Sequence, residues 1–281
     1  MPILQHARDY VRSFETIRLG ATRRDRVQIL RSRLRLLLYP VDRLCFLWFH
    51  RPFLESKNGV ICCRSDGLTF FCASDRSPEM LLRSYEPEIW AELRQVTEGD
   101  FIDVGASIGA FCVRMARRLE GRGRVVAIEP NPTSANLLAR TISHNHLTNL
   151  QLVRAAAWSE KGTLTLYQHV LGGPPVDNSV VFRVSDRSHQ VPAVTIDDIV
   201  ETQALKNVAF VKIDAEGAEP EILRGMGRTL SRFPDLRIIF ETLSPEMIEA
   251  CRDILAASGF GTRAIPSMGS VRTFVASRSG D

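Results

Sequence analysis

Short, continuous apolar runs alternate with amphipathic stretches along most of this chain, the pattern of buried parallel strands separated by helices. FIDV (101–104), RVVAI (124–128) and VAFVKI (208–213) carry no polar residue at every second position, so they read as strands covered on both faces. A strand at 100–105 leads to a helix ending near Gly121. A strand at 124–129 is followed by a helix capped by Asn131, with Pro132 in its first position, running to about His144. A strand at 150–157 comes next, then GTLTLYQ (162–168) as an inserted strand, a glycine-proline loop from Gly172 to Asn178, and VTIDDIV (194–200) as strand into helix. Strand 208–214 with its helix and strand 236–241 complete the alternation. Ser244-Pro245 starts a helix that stops before Gly259, and FGTRAI and VRTFVAS bracket residues 266–270 as a terminal hairpin. Upstream, GVICCRSDGLTFFC (59–72) reads as a hairpin turning at Ser65-Asp66-Gly67. A helix begins near Ser84 or Tyr85 with Glu86, Pro87 and Glu88 in its first turn.

At 281 residues, 44% hydrophobic and 24% charged, the chain can bury a substantial core, and its length allows one or two domains. No apolar run approaches the ~18 residues of a membrane span. Residues 1–30 lack the compact apolar stretch of a signal peptide, so a cytoplasmic protein is expected. The six cysteines show no CxxC pair and no zinc-like histidine spacing, which predicts reduced thiols and no structural zinc.

Charge is unevenly spread. Residues 1–51 hold eleven arginines against four acids, a net of +7, which leaves −3 for the rest of a chain whose total is +4. Within this segment Val27, Leu30, Leu34, Leu37 and Leu38 recur at helical spacing with arginines between, up to Pro40, and LCFLWF (44–49) is a candidate anchor to the body. Such a stripe either meets an anionic lipid or nucleic-acid surface, or lies on the catalytic domain with its arginines in solvent. No specific nucleic-acid recognition is expected, and oligomeric state has no signal in the sequence. The predicted organisation is a basic helical extension over 1–57 and a second domain over 58–281, made of a flanking hairpin (58–84) and a catalytic core (85–281).

The chemistry concentrates in FIDVGASIGAF (101–111), followed by Glu129 at the end of RVVAIE. Strand, glycine turn, helix and a second strand ending in a carboxylate form the layout of a nucleoside-binding unit. Gly105 and Gly109 allow a sharp turn close to a ligand, Ala106 and Ser107 lie between them, and Glu129 can accept both hydroxyls of a ribose. GASIG is not the dinucleotide GxGxxG, and Asp103 can hold an ammonium group; both point to S-adenosylmethionine rather than NAD. A second constellation, KIDAEGAEPE (212–221), ends an apolar strand with Lys212, Asp214, Glu216 and Glu219, where open parallel sheets bind ligands.

DVGASIG, VVAIEPNP, AAAWSEKGTLTLY, VTIDDIV and above all KIDAEGAE, in this order, resemble the FkbM family of S-adenosylmethionine-dependent methyltransferases over about Tyr85 to Glu241. The resemblance implies an α/β, class I methyltransferase (Rossmann-like) fold: a mostly parallel seven-stranded sheet with helices on both faces and a C-terminal antiparallel hairpin. It also implies O-methylation of a hydroxyl on a sugar, glycolipid, polyketide or other small-molecule acceptor. Ser107 and Ala215 stand where Asn and Val are commoner in such families. YEPE (85–88) precedes the glycine motif in many relatives, which would place Glu86 and Tyr85 at the methionine end of the cofactor; a plain acidic helix start is the alternative.

On this reading Asp214 is the first candidate for general base or positioning acceptor, and Lys212, two residues earlier on the same strand face, tunes a carboxylate or the acceptor hydroxyl. Glu216 and Glu241 either join Asp214 as oxygen ligands for Mg²⁺ or hydrogen-bond a polyol. Asn131 and the backbone of Ala156 and Ala157 are candidates for the ribose and adenine, with Trp158 stacking or packing nearby. His169 and His189 are reserve bases, and Asn178 and Ser179 are candidate contacts to the acceptor. The alternatives are an NAD-dependent oxidoreductase and a non-catalytic scaffold using its arginine-rich N-terminus.

Overall fold

The computed structural model describes residues 13–37, 59–73, 77–167, 179–181, 187–242, 244–266 and 272–278. His169, Asn178, Leu38, LCFLWF (44–49) and the turn at 267–270 lie outside these residues. The chain divides into two compact units, Met1–Tyr85 and Glu86–Asp281. The hairpin grouped with the catalytic domain on sequence falls within the first.

In the first unit a 3-10 helix (Phe14–Leu19) precedes α1 (Arg23–Leu37), and β1 (Val60–Ser65) pairs antiparallel with β2 (Leu68–Ala73). The turn expected at Ser65-Asp66-Gly67 closes over two residues, since Ser65 pairs with Leu68, and Asp66 and Gly67 take the positive φ, 52° and 75°, that such a turn requires. A second 3-10 helix spans Ser77–Leu81.

The seating of α1 does not follow its leucine spacing. The helix docks through Asp25, Ile29 and Arg33, all buried, while Val27 and Leu34 are 40% and 39% exposed. Specific polar partners decide the rotation. Asp25 Oδ2 accepts from the N–H and hydroxyl of Thr22 at 3.0 and 2.6 Å, and Oδ1 accepts from Cys62 N of β1 at 3.2 Å. Arg33, with none of its surface exposed, donates to Thr16 Oγ1 at 3.3 Å and pairs with Glu79 Oε1 at 3.0 Å, bridging the two 3-10 helices. A guanidinium out of water is costly unless paired, so turning the leucines inward would strand both charges at once.

The second unit begins with α2 (Pro87–Leu93) and then β3 (Asp100–Val104), α3 (Cys112–Arg118), β4 (Val125–Ile128), α4 (Pro132–His144) and β5 (Leu150–Val153). It continues through β6 (Ala156–Ala157), β7 (Gly162–Tyr167), β8 (Ser188–Val194) and α5 (Ile196–Thr202). The remainder is β9 (Val208–Ile213), α6 (Glu219–Arg224), α7 (Gly227–Arg232), β10 (Arg237–Thr242), α8 (Pro245–Ala257), β11 (Gly261–Ile265) and β12 (Arg272–Ser277).

Seven strands form one sheet in the order β11-β12-β10-β9-β3-β4-β5. It is parallel from β5 to β10 and antiparallel at the β11–β12 hairpin, the class I methyltransferase arrangement. Both β3 and β4 are buried along their whole length, so both faces of the sheet are covered. The chain departs from β3 to β4 on one side and returns to β9 on the other, which makes the β3–β9 carboxyl edge the switch point where such sheets bind ligands. Asp100 ties this centre together from below: Oδ1 accepts from Arg124 N at 3.0 Å and Oδ2 from Lys206 N and Asn207 N at 3.1 and 3.2 Å.

The strand expected over 150–157 is two. β5 ends at Val153 on the edge of the main sheet, and Ala156–Ala157 pair instead with Ala193 and Val194 in a three-stranded sheet of order β6-β8-β7. An edge strand has only one ladder to lose, so the chain leaves it cheaply at the exposed Arg154. Among the described residues no helix is long and apolar enough to cross a membrane.

Candidate functional site

The turn after β3 is built by packing at close quarters. Gly105 has φ +76°, and a Cβ there would fall 1.8 Å from the carbonyl oxygen of Asp214. Its freedom therefore brings the ends of β3 and β9 together. The expected clearance for a ligand is not what the Cβ direction shows. Gly109, at φ +89°, likewise faces Leu138 Cδ1 and Val113 Cγ2, at 2.5 and 2.7 Å from where its Cβ would be, so it seats α3 against α4. Ser107 holds a left-handed φ of 49° without being glycine, strain of the kind that collects at functional sites.

That strained residue presents its N–H to Glu129 Oε2 at 2.7 Å, while Asn131 N donates to Oε1 at 2.8 Å. The carboxyl is thus clamped at the end of β4 beside the turn. Burial pushes it up to about 7 against the pull of the two N–H donors. Asp103, on β3, accepts at Oδ2 from Cys112 N at 3.1 Å, and burial pushes its carboxyl up to about 6 against the Lys212 charge. Asp103 Oδ1 and Ser107 Oγ are buried with no hydrogen-bond partner among the described residues. Buried polar atoms are rarely left so. Together with Glu129 they suit a ligand bringing an ammonium group and vicinal hydroxyls, which the methionine and ribose parts of S-adenosylmethionine carry. Ala106, also buried, contributes its N–H to Ile128 O at 3.1 Å and fixes the turn.

The second half of the site hangs from β9. Register sets Lys212 beside Asp103 on the neighbouring strand, and Lys212 Nζ bonds Asp214 Oδ2 at 3.1 Å, the shared face expected from their spacing. Burial alone would lower the lysine. The carboxylates of Asp214, Asp103, Glu86 and Glu241 outweigh it and hold the ammonium well above its usual value, so Lys212 stays charged. Its Nζ also sits 4.9 Å from the ring centre of Phe111, which stacks on Trp90 at 4.9 Å. Asp214 keeps 28% of its side-chain surface open to solvent, whereas Lys212 keeps 3%. Glu241, at the end of β10, is pushed far up by burial and then by the charges of Asp214 and Glu86.

Glu86 therefore belongs to this carboxylate group by its charge interactions with Lys212 and Glu241. It stands at the N-cap position of α2 with φ 43°. Glu216, at φ 51°, also adds its charge against Glu241. Its carbonyl accepts from Ser179 Oγ at 2.9 Å, so the serine considered for the acceptor spends its proton anchoring its own segment. Asn131 spends its side-chain oxygen on capping α4, accepting from Thr133 N and Ser134 N at 2.8 and 3.1 Å. Ala156 lies in the smaller sheet, packed with Leu166 and Val191, and Trp158 packs against the main core. His189 also lies in the smaller sheet, on β8. Among the described residues, Asp214, Glu216 and Glu241 included, no three His, Cys, Asp or Glu side chains gather as a metal-binding set.

Two contributors carry no assignment from sequence. Glu219, grouped on sequence with the acids at the end of β9, turns its side chain back on the chain, Oε1 accepting from Ala215 N and Gly217 N at 3.0 and 3.3 Å. It braces the loop that follows Asp214. The signal was present in the acid four residues after Ala215, but its direction was not. Phe111 closes the glycine motif and gave no sign that its ring would lie against Lys212.

Residues 103–272 match the family described as the methyltransferase FkbM domain. Methyltransferase 1 of Beauveria bassiana is 26% identical over 143 residues, 44% of this chain and 57% of that protein. Methyltransferase sdnD of Sordaria araneosa is 22% identical over 192 residues, 58% of this chain and 74% of that protein. The hexuronic acid methyltransferase AglP of Haloferax volcanii is 28% identical over 152 residues, 53% of this chain and 59% of that protein. The chain thus spans little more than half the length of two of these relatives.

Proposed function

The chain belongs to the FkbM methyltransferase family, and from that premise we propose that it moves a methyl group from S-adenosylmethionine to a hydroxyl of a small polyol acceptor such as a sugar or glycolipid. One observation carries the reading: the Lys212–Asp214 pair, at 3.1 Å, stands at the end of β9, where Asp214 O packs against the Gly105 turn. A carboxylate free to meet an acceptor is thereby set beside the cofactor turn.

Bound S-adenosylmethionine supplies a methyl group on a positively charged sulfur, which asks of its acceptor only an aligned nucleophilic oxygen. Asp103 would hold the ammonium group through Oδ1, and Glu129 would accept the ribose hydroxyls. Asp214 orients the acceptor hydroxyl and takes its proton; Lys212 fixes the Asp214 carboxylate through one oxygen and leaves the other for the acceptor. Glu241, pushed up enough to carry a proton near neutrality, donates a hydrogen bond to a second hydroxyl. Glu216 and Glu86 supply further negative charge around Lys212 and Glu241. An arrangement with several carboxyl groups at different protonation suits a polyol, and one relative is named for a sugar acid.

The test is a transfer screen with methyl-labelled S-adenosylmethionine against neutral sugars, uronic acids, glycolipids and polyketide-like alcohols, with and without Mg²⁺. Label on a sugar hydroxyl supports the proposal. Label on nitrogen, or on none of these acceptors, refutes it.

A further inference from the structure

The outward side of α1 is chemically one-sided. With Asp25, Ile29 and Arg33 facing inward, the helical repeat puts Arg23, Arg24, Val27, Arg31 and Leu34 together on the opposite side, and all five are exposed. The only acid of the helix, Asp25, is on the buried side, so no negative charge stands among these residues. Val27 and Leu34 are two of the four large apolar side chains left exposed among the described residues; Val60, next to the Gly59 carbonyl that accepts from Gln28 of α1, is a third.

We propose that this face of α1 is a docking surface for the anionic headgroups of a lipid bilayer. Three arginines match phosphate and carboxylate headgroups, and they carry no acid of their own to neutralise first. Two aliphatic side chains at i and i+7 sit between them at the depth where an interfacial helix buries its apolar atoms. A nucleic-acid backbone would answer the arginines but has no use for Val27 and Leu34. The helix lies on the surface without spanning it: no described helix is long and apolar enough to cross. Of the two readings the leucine stripe left open, the proposal takes the one that turns it away from the protein.

The experiment is sedimentation of the full chain with vesicles of equal parts phosphatidylglycerol and phosphatidylcholine, beside vesicles of phosphatidylcholine alone. Binding is expected on the anionic vesicles only, weakening steadily as salt is raised. Reversing two arginines, in Arg24→Glu with Arg31→Glu, is expected to lower vesicle affinity about tenfold or more. Val27→Ser with Leu34→Ser is expected to lower it several-fold while leaving the salt dependence in place. Thermal melts identify any variant that loses its fold, and for such a variant the wild-type salt titration decides. Equal binding to neutral vesicles, no binding to either, an arginine-reversed protein that binds like wild type, or tighter binding to a duplex oligonucleotide than to the anionic vesicles would each overturn the proposal.

Discussion

Lys212 and Asp214 divide their work by burial. The lysine is enclosed and held charged by surrounding carboxylates, so it has no lone pair to offer a proton, and Asp214 is the partly open member of the pair. On the proposal that Asp214 takes the acceptor's proton, Asp214→Asn keeps an oxygen for the Lys212 bond but removes that capacity. Its methyl-transfer rate is expected to fall about 10²–10⁴-fold, with S-adenosylmethionine affinity nearly unchanged; single-turnover transfer and calorimetry read the two separately. Affinity itself is expected to depend on pH. Asp103 and Glu129, raised to about 6 and about 7, are protonated below those values, whereas a ligand with an ammonium group favours their ionised forms. Binding should weaken as pH falls from 8 through 7 to 6, roughly tenfold per unit below the lower value for one obligatory ionisation. Titration in buffers of different ionisation heat should record proton release, and a flat profile would contradict this. At this scale the sequence was most informative where a residue's task is local. Asp103, Glu129, Lys212 and Asp214 end strands, and strand ends can be read from apolar runs. The contact of Phe111 with Lys212 joins residues about a hundred positions apart in sequence, which no local pattern encodes.

Glu219 shows how an element can depend on one side chain. It begins α6 yet folds back on the loop after β9, with Oε1 satisfied and Oε2 buried without a partner among the described residues. Burial raises its carboxyl to about 7 from an ordinary 4.5. A carboxyl raised on folding stabilises the protein fully below its unfolded value and loses that contribution as pH climbs through its folded value. Wild-type stability should therefore decline between about pH 4.5 and 7 from this group. Glu219→Gln keeps an oxygen for Ala215 and Gly217 and removes the ionisation. Its melting temperature at pH 8 is expected to exceed wild type by an amount worth at most roughly 3 kcal/mol, and to come close to wild type at about pH 4. A variant less stable at both pH values would mean that the ionised carboxylate is what the loop requires. Caps were legible where Asn131-Pro132 and Ser244-Pro245 start the helices they were expected to start. The rotation of α1 was not, because apolar spacing carries no information about Cys62 and Glu79, the distant partners of Asp25 and Arg33. The break between β5 and β6 was hidden for a similar reason: LQLVRAAAW stays apolar enough for one strand, and only the partner sheet divides it.

Across the molecule, strand alternation and the terminal hairpin gave the architecture, since a parallel sheet needs a crossover helix between strands and an antiparallel pair does not. The order β11-β12-β10-β9-β3-β4-β5 then puts the glycine turn and KIDAEGAE side by side at the sheet's carboxyl edge, although about a hundred residues separate them in the chain. Dinucleotide binding, the alternative on sequence, loses its ground with family membership. The central claim is that this edge holds S-adenosylmethionine through Glu129. Its most direct test is calorimetric titration of that compound into the wild-type chain and into Glu129→Ala, with NADH as the comparison ligand. The expected result is binding of S-adenosylmethionine by wild type, weakened tenfold or more, about 1.4 kcal/mol, in the variant, and no binding of NADH by either. Equal affinity in the two proteins, or NADH binding in place of S-adenosylmethionine, would contradict the account.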